Sequence, residues 1–578
     1  MTIKEAVEKG LWEEGLKLIS MILKDNKEMN TEECIVGATI LEHFDDLESM
    51  YFLIEKGLML EPTNYELYLL LGNYYLNQNN NLAYLCYENA LFWAEKKGAN
   101  DDAVLIKEIL DNCIKDYDTS VNNVSIVILS YNTLEFTRKC IDSIRENVRK
   151  QSCEIIIIDN ASTDGSVEYL RSQKDILLIE NKRNVGFPGG CNQGIRASNA
   201  ENDIFLLNSD TLLMPNSLFT LRLGLYADEK NGAAGAVTNY SSNRQIVDFY
   251  SENLKDYFDY SYKNNIPAMN SLETKNMLVM FAMLIKRQAY EKIGELDERF
   301  SPGNYEDDDY GIRLIQNGYR NVVCWNSFIY HYGSRSFASK PDAYFPLLER
   351  NKEKLIDKVG FDYEYYKDID VGISSMINSD RDAKIKILEI GCGLGELLGR
   401  IKYLYPKSIV HGIEYDKDVA KIAGAFNIVY SSIDECVSDK TIGMYDYVIF
   451  NEFLEKTMHP EKLLKQAKTL LKSEGCILAS ISNAMNAEVL YGLLTGDFHY
   501  TKKGALDQNK VRLYTHKEIL ELFDEQGYYV ENICGSISKN ITTDTYRDLF
   551  DKLLQIDKVA EKKFFDIDRF YIRVKIKN

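Results

Sequence analysis

No stretch of the 578 residues is apolar for long enough to cross a bilayer. The longest apolar run, 277–285, falls well short of the roughly 20 residues a spanning helix needs. The opening MTIKEAVEKGLWEEGLKLIS mixes acids, bases and apolar residues. It lacks the unbroken apolar core and small-residue cleavage site of a signal peptide, so the expected location is the cytoplasm. The 11 cysteines include no CxxC pair and no regular framework. That pattern argues for reduced thiols rather than disulfides or a zinc site, with Cys191 and Cys392 read as small packing residues. No Lys/Arg run stands out, and a net charge of -20 with pI near 5.0 repels polyanions, which sets aside nucleic acid as a substrate. There is also no low-complexity tract, so each stretch is expected to fold.

The rhythm of the chain changes twice. Residues 2–118 carry apolar side chains at helical spacing, few Gly or Pro, and no strand alternation. Within them Pro62, Leu71, Gly72, Tyr75, Ala83, Tyr87 and Ala90 put small residues where two antiparallel helices cross closely, an arrangement that resembles a tetratricopeptide helix pair. A weaker unit lies around residues 10–23. After residue 123, short β-branched runs at 124–129, 154–158, 176–179 and 204–207 alternate with helices, the signature of a parallel α/β sheet. A charged helical stretch, 347–358, leads through a linker to a second α/β block with strands at 385–390, 409–413, 447–450 and 476–480. The expected domains are 1–120, 121–365 and 366–578.

Ligands of open α/β sheets collect at the carboxyl ends of the strands. There the first block carries Ser130-Tyr131-Asn132, Asp159 with the turn through Gly165, Asn184-Val185-Gly186-Phe187, and Asn208-Ser209-Asp210. Further on come Glu306-Asp307-Asp308-Asp309 with Arg313, and Tyr330-His331-Tyr332-Gly333-Ser334. In order and spacing these motifs resemble family 2 glycosyltransferases of the A-type fold, over nearly all of 124–336. The resemblance implies an inverting transfer from a UDP- or dTDP-linked sugar. Asp159 would contact the base, with Ser130, Asn132, Asn184, Gly186, Asp210 and Glu306 lining the nucleotide-sugar site. Asn208-Ser209-Asp210 takes the place of the DXD motif, leaving Asp210 as its one anionic ligand for Mn2+ or Mg2+. His331, expected just after a strand, would complete the metal site, and Asp307 would be the general base. A metal ion suits the charge that develops on the leaving diphosphate, and clustered carboxylates raise one another's pKa, which suits a base.

In the last block Glu389-Ile390-Gly391-Cys392-Gly393-Leu394-Gly395 joins a strand to a helix, and Glu414 ends the next strand. With the acid preceding the glycines, this resembles class I S-adenosylmethionine methyltransferases over about 384–533. The resemblance implies that Glu389, Gly391, Gly393, Gly395 and Glu414 hold the cofactor. Phe453 and Lys510 stand where related enzymes carry His, so cofactor binding without methylation is one expectation and methylation of the glycan the other.

The expected fold class is therefore multidomain: an all-α helical repeat, an α/β A-type glycosyltransferase domain and an α/β Rossmann-like methyltransferase domain. The expected acceptor is a glycan or a protein such as flagellin, the latter because helical repeats present concave peptide-binding surfaces. Transfer to a cell-surface polysaccharide, for example of rhamnose, is the alternative. A scaffold with two catalytically dead α/β domains is the rival of a different class.

Overall fold

A computed structural model of the chain, which describes every residue except 26, 118, 242, 334–340, 368–369, 426, 439–443, 538–545, 556–561 and 578, is helical wherever it forms regular elements between Ile3 and Asp116. The helices Tyr65–Tyr75 and Asn80–Lys97 form the close pair expected from the small residues. A Cβ at Gly72 would lie 2.2 Å from the Tyr87 ring, so the crossing admits no side chain there. Asn64 caps the first helix by accepting from the amides of Glu66 and Leu67, and left-handed Gly98 closes the second.

This helical region and the first sheet belong to one compact unit, Met1–Lys354. Their junction is polar as well as apolar. Asn216, left-handed at φ 60°, heads the helix Ser217–Tyr226. Its Oδ1 accepts from Trp93 Nε1 (2.9 Å), and its Nδ2 donates to the Pro62 carbonyl (3.0 Å) and Tyr68 Oη (2.9 Å). Beside it the buried Glu88 pairs with buried Arg222 and accepts from Ser152 Oγ at 2.6 Å. Removing one partner of a buried pair strands the other charge. Glu88→Ala should therefore cost about 3 kcal/mol, read as a lower urea midpoint for the Met1–Lys354 unit, whereas an unchanged midpoint would show the pair to be dispensable.

The first sheet is built from β1 Val124–Ser130, β2 Cys153–Asp159, β3 Ile176–Glu180, β4 Asp203–Asn208, β6 Asn231–Val237, β7 Leu272–Lys275, β8 Ala282–Ile285 and β9 Arg320–Phe328, in the order β3-β2-β1-β4-β8-β6-β9-β7. Strands β1 to β4 are parallel, as the β-branched runs indicated, but β8 runs antiparallel to β4 and β6, and β7 antiparallel to β9. The sheet is mixed. The register sets Ser130 opposite Asp159, and Leu129 opposite Asn208, so the polar strand ends share one edge. A separate two-stranded ribbon joins β5 Thr211–Leu212 to β10 Tyr330–His331, with His331 opposite Thr211. His331 therefore follows β9, as expected, and ends a two-residue strand of its own. The charged helical stretch is longer than expected, Pro341–Val359.

The second unit, Leu355–Asn578, holds β11 Lys386–Ile390, β12 Ile409–Ile413, β13 Ile428–Tyr430, β14 Tyr445–Asn451, β15 Leu471–Ser482, β16 Tyr528–Ile537 and β17 Ile567–Ile576. Their order is β13-β12-β11-β14-β15-β17-β16, parallel up to β15 and antiparallel at β17. No helix among the described residues is long and apolar enough to cross a membrane.

Candidate functional site

The ribbon β5–β10 brings together two residues that lie far apart in sequence. His331 Nε2 is 3.2 Å from Asp210 Oδ1, and its Nδ1 is 3.0 Å from the Tyr240 carbonyl. A carbonyl only accepts, so Nδ1 carries a proton and the neutral ring offers its Nε2 lone pair toward Asp210. A lone pair and a carboxylate at that distance need a cation between them, either a proton or a metal. Burial alone would lower the His331 pKa, but the hydrogen bond to Asp210, its charge and the Tyr240 carbonyl together hold it above the usual 6.5. Asn239 locks the histidine backbone from both sides, accepting from His331 N (2.9 Å) and donating to His331 O (3.0 Å), while Phe281 stacks on the ring. Among the described residues no three His, Cys, Asp or Glu side chains converge as a complete metal site. The Asp210–His331 pair fits a divalent ion whose remaining ligands come from a diphosphate and water.

At the other strand ends the expected nucleotide-binding residues divide into two groups. Asn132 and Asn184 stitch loops together: Asn132 Oδ1 accepts from Thr163 N (2.8 Å), and Asn184 Oδ1 accepts from Gly186 N (2.8 Å) and Asn160 Nδ2 (3.2 Å). The Ser130 hydroxyl is fully buried against Thr137, in a chain of hydroxyls that runs on through Thr133 to Ser209. Its Oγ is thus engaged with Thr137 at the end of β1. Asp159 is buried too. Its Oδ1 accepts from Ser162 N (2.8 Å), but Oδ2 has no partner among the described residues. That oxygen retains capacity for a donor such as the imide N–H of a pyrimidine base.

Gly186 has φ 83°, and a Cβ there would lie 2.9 Å from the Pro302 Cα, so this loop seats directly on the turn that precedes Glu306. The acid run opens the helix Glu306–Gln316. Its four carboxylates are not equivalent. Asp309 is buried and paired with Arg313 (2.9 Å), Asp308 and Glu306 are buried, and Asp307 alone is half-buried. Burial and then the Asp307 charge push Glu306 well above the usual carboxylate range, and its Oε2 has no partner among the described residues. Asp307, whose Oδ1 accepts from Asp308 N (3.0 Å), is thus the least buried carboxylate of the run.

In the second unit Gly391 and Cys392 donate from their amides to the Ile413 carbonyl (2.8 and 3.0 Å), which folds the glycine loop over the end of β12. Gly391, at φ 75°, leaves room that the Phe453 ring takes: a Cβ would lie 2.2 Å from it. Gly393 N donates to Glu414 Oε2 (2.8 Å), and Asp416 N to Glu414 Oε1 (2.9 Å). Glu414 therefore holds the loop, while each of its oxygens keeps a second lone pair for a ribose hydroxyl. Burial and then the Glu414 charge raise the pKa of Glu389, whose Oε2 is buried without a partner among the described residues. An orphan acid beneath a glycine loop fits an adenosyl cofactor. Lys510 is buried, donating to Ser482 Oγ (2.5 Å) and lying 3.4 Å from Glu455. Cys191 and Cys392 are buried, as expected of packing residues, and burial raises both thiols.

The residues that sequence reasoning missed are mostly amides and hydroxyls: Thr133, Thr137, Asn239 and the Tyr240 carbonyl. Only the Thr133/Thr137 spacing of four just after a strand offered a signal. Ser334, the end of the histidine motif, lies outside the described residues.

Residues 125–294 match the family model for glycosyl transferase family 2, and residues 361–533 match a methyltransferase domain model. The chain thus carries a family 2 glycosyltransferase domain of the A-type fold, preceded by a helical region and followed by a Rossmann-like methyltransferase domain. It is 27% identical over 224 residues to glycosyltransferase GlyA of Streptococcus pneumoniae, covering 37% of this chain and 31% of that one. It is 33% identical over 93 residues to the poly(ribitol-phosphate) beta-glucosyltransferase of Bacillus spizizenii, 15% of each chain. The chain thus spans under a third of the length of either relative. A mannosyltransferase structure from Pyrobaculum calidifontis, in complex with GDP-Man and Mn2+, aligns at 17% identity over 38% of this chain and 59% of that one, with a TM-score of 0.29.

Proposed function

We propose that the transferase domain moves a sugar from a UDP- or dTDP-linked donor to a hydroxyl acceptor, with inversion and with the help of Mn2+ or Mg2+. The domain limits remain those proposed from the sequence, 1–120, 121–365 and 366–578. The observation that carries the reading is the Asp210–His331 pair, whose tautomer is set by Tyr240 so that a lone pair and a carboxylate face one cation position. A divalent ion there neutralises charge on the leaving diphosphate. Asp159 and Glu306 offer buried oxygens, unpartnered among the described residues, for the nucleotide sugar, and Asp307 takes the proton of the attacking hydroxyl. A thermal-shift screen tests this directly. A nucleotide sugar at about 100 times its Kd should add roughly 2.7 kcal/mol of stability, and only with Mn2+ or Mg2+ present. No shift with any UDP-, dTDP- or GDP-sugar would contradict it.

For the acceptor, a protein such as flagellin is supported by the helical region alone. The alternative, a cell-surface polysaccharide, has a specific observation in its favour: the helix Asn80–Lys97 spends Glu88, Asn89 and Trp93 on Arg222 and Asn216, so that face is closed to a peptide. Labelled donor offered with unmodified flagellin and with polymer acceptors separates the two by which product carries label.

In the second unit Glu389, Gly391, Gly393, Gly395 and Glu414 would hold S-adenosylmethionine, which supplies an activated methyl group when bound. Phe453 has no acid–base function, and Lys510 is enclosed by Glu455, Ser482 and the Gly504 carbonyl. That supports binding without a base at either position. Calorimetric titration with S-adenosylmethionine should show binding that Glu414→Ala weakens at least about tenfold, since charge-assisted hydrogen bonds to the loop are lost. The absence of heat with the unaltered chain would remove the cofactor.

A further inference from the structure

The turn that delivers the acid run is gripped from a helix beyond the residues that match the glycosyltransferase model. Asn304 and Tyr305 are both left-handed, at φ 75° and 73°. Such a conformation costs a non-glycine residue roughly 1–2 kcal/mol, and a pair of them persists only where the surroundings dictate it. On one side the turn rests on the Gly186 loop, with Phe187 N donating to the Pro302 carbonyl at 2.8 Å. On the other side stands the helix Pro341–Val359. Its Asn351 is fully buried and donates Nδ2 to the carbonyls of Phe300 (2.7 Å), Gly303 (3.0 Å) and Asn304 (3.2 Å). Arg350 Nη2 donates to the Ser301 carbonyl (2.8 Å), and Lys354 Nζ to the Arg299 carbonyl (2.6 Å). Lys354 also donates to Asn351 Oδ1 at 3.2 Å, which orients the amide.

Five carbonyls between residues 299 and 304 are therefore bound by three side chains of one helix. Carbonyls in an irregular segment normally go to water or to local turns. Here they are used to hold a strained turn in one conformation, and the residues that follow it at once are Glu306 and Asp307. We propose that Asn351, aided by Arg350 and Lys354, is a positioning residue that sets the place of Asp307 relative to the acceptor hydroxyl. This rests on Asp307 being the general base. It touches no substrate itself. Asn fits the role because one planar amide supplies two N–H donors and one acceptor, so it can take carbonyls on one side and the lysine on the other.

The test is a double-substitution cycle on the full chain. Asn351→Ala should lower kcat for transfer by about 10- to 100-fold, the cost of misplacing a reacting group by about 1 Å, while donor Kd changes less than about twofold. Combined with Asp307→Asn, the further loss from Asn351→Ala should shrink to less than about twofold, because a residue acting through Asp307 has nothing left to position. Arg350→Gln, at an exposed position that loses one bond to the Ser301 carbonyl and one to Asn351 Oδ1 (3.3 Å), should show the same pattern at a smaller factor and serves if Asn351→Ala does not fold. Factors that multiply in full across the cycle, or a donor Kd that rises in step with the loss of kcat, would overturn the proposal while leaving the base intact. Undiminished turnover of Asp307→Asn alone would instead remove the base, and the two failures are told apart by that single variant.

Discussion

Asp307→Asn should lower sugar transfer by about 10²- to 10⁴-fold, the usual range for a lost general base, with donor binding nearly unchanged. The substitution keeps volume and removes the charge that can accept the hydroxyl proton. The structure separates Asp307 from its neighbours in kind. Asp309 is tied to Arg313, Asp308 is buried, and Glu306 is held toward its protonated form by burial and then by the Asp307 charge itself. A second consequence follows from the sign of that coupling: with Asp307 neutralised, the Glu306 pKa should fall. Glu306→Gln should impair donor or acceptor binding more than the pH profile, whereas Asp307→Asn should abolish the acidic limb, on which activity rises as a carboxylate base loses its proton. Wild-type turnover of Asp307→Asn would remove it as base.

Asp210→Ala should weaken metal-dependent donor binding by more than the roughly 10- to 100-fold that loss of an outer-shell partner costs. It should also free His331 from its anionic neighbour. In the unaltered chain the His331 pKa is raised, because the hydrogen bond and charge of Asp210 and the Tyr240 carbonyl outweigh the lowering effect of burial. The stabilisation from that protonated pair is present below the ordinary value of 6.5 and is lost as pH rises through the raised one. A metal must displace the same proton, so metal affinity should improve as pH climbs through the raised pKa and then level off. Titrations of Mn2+ across pH 6 to 8, followed by donor-dependent protection from unfolding, read both effects. Unchanged metal dependence in Asp210→Ala would set the pair aside as a structural contact.

The parallel strands were legible because β-branched runs ending in polar residues have few other uses: 124–129, 154–158, 176–179 and 204–207 each fall within the observed β1 to β4. The antiparallel strands were not. β6, Asn231–Val237, is rich in Ala and Gly, and the apolar run 277–285 yields only the four residues of β8, because pairing partners set by the fold rather than periodicity decide where such runs become strands. The meeting of Asp210 and His331 was expected from their motifs, but the ribbon β5–β10 that joins them was not, since two residues are too short to carry any pattern. Ser130 illustrates the opposite limit. Its position at the end of β1 was read correctly, whereas its contact with Thr137 is a choice of rotamer that no spacing reports. The grip of Asn351 on the turn before Asp307 lay within a helix that composition marks only as charged and solvated.

The central claim is an inverting, metal-assisted transfer with Asp307 as base, and the anomeric configuration of the first-formed product tests it most directly. Proton NMR of a reaction with an α-linked nucleotide sugar and Mn2+ should show the β anomer appearing first, its formation lost on chelation and in Asp307→Asn. An α product, or β product formed at full rate with the metal chelated, would contradict the account.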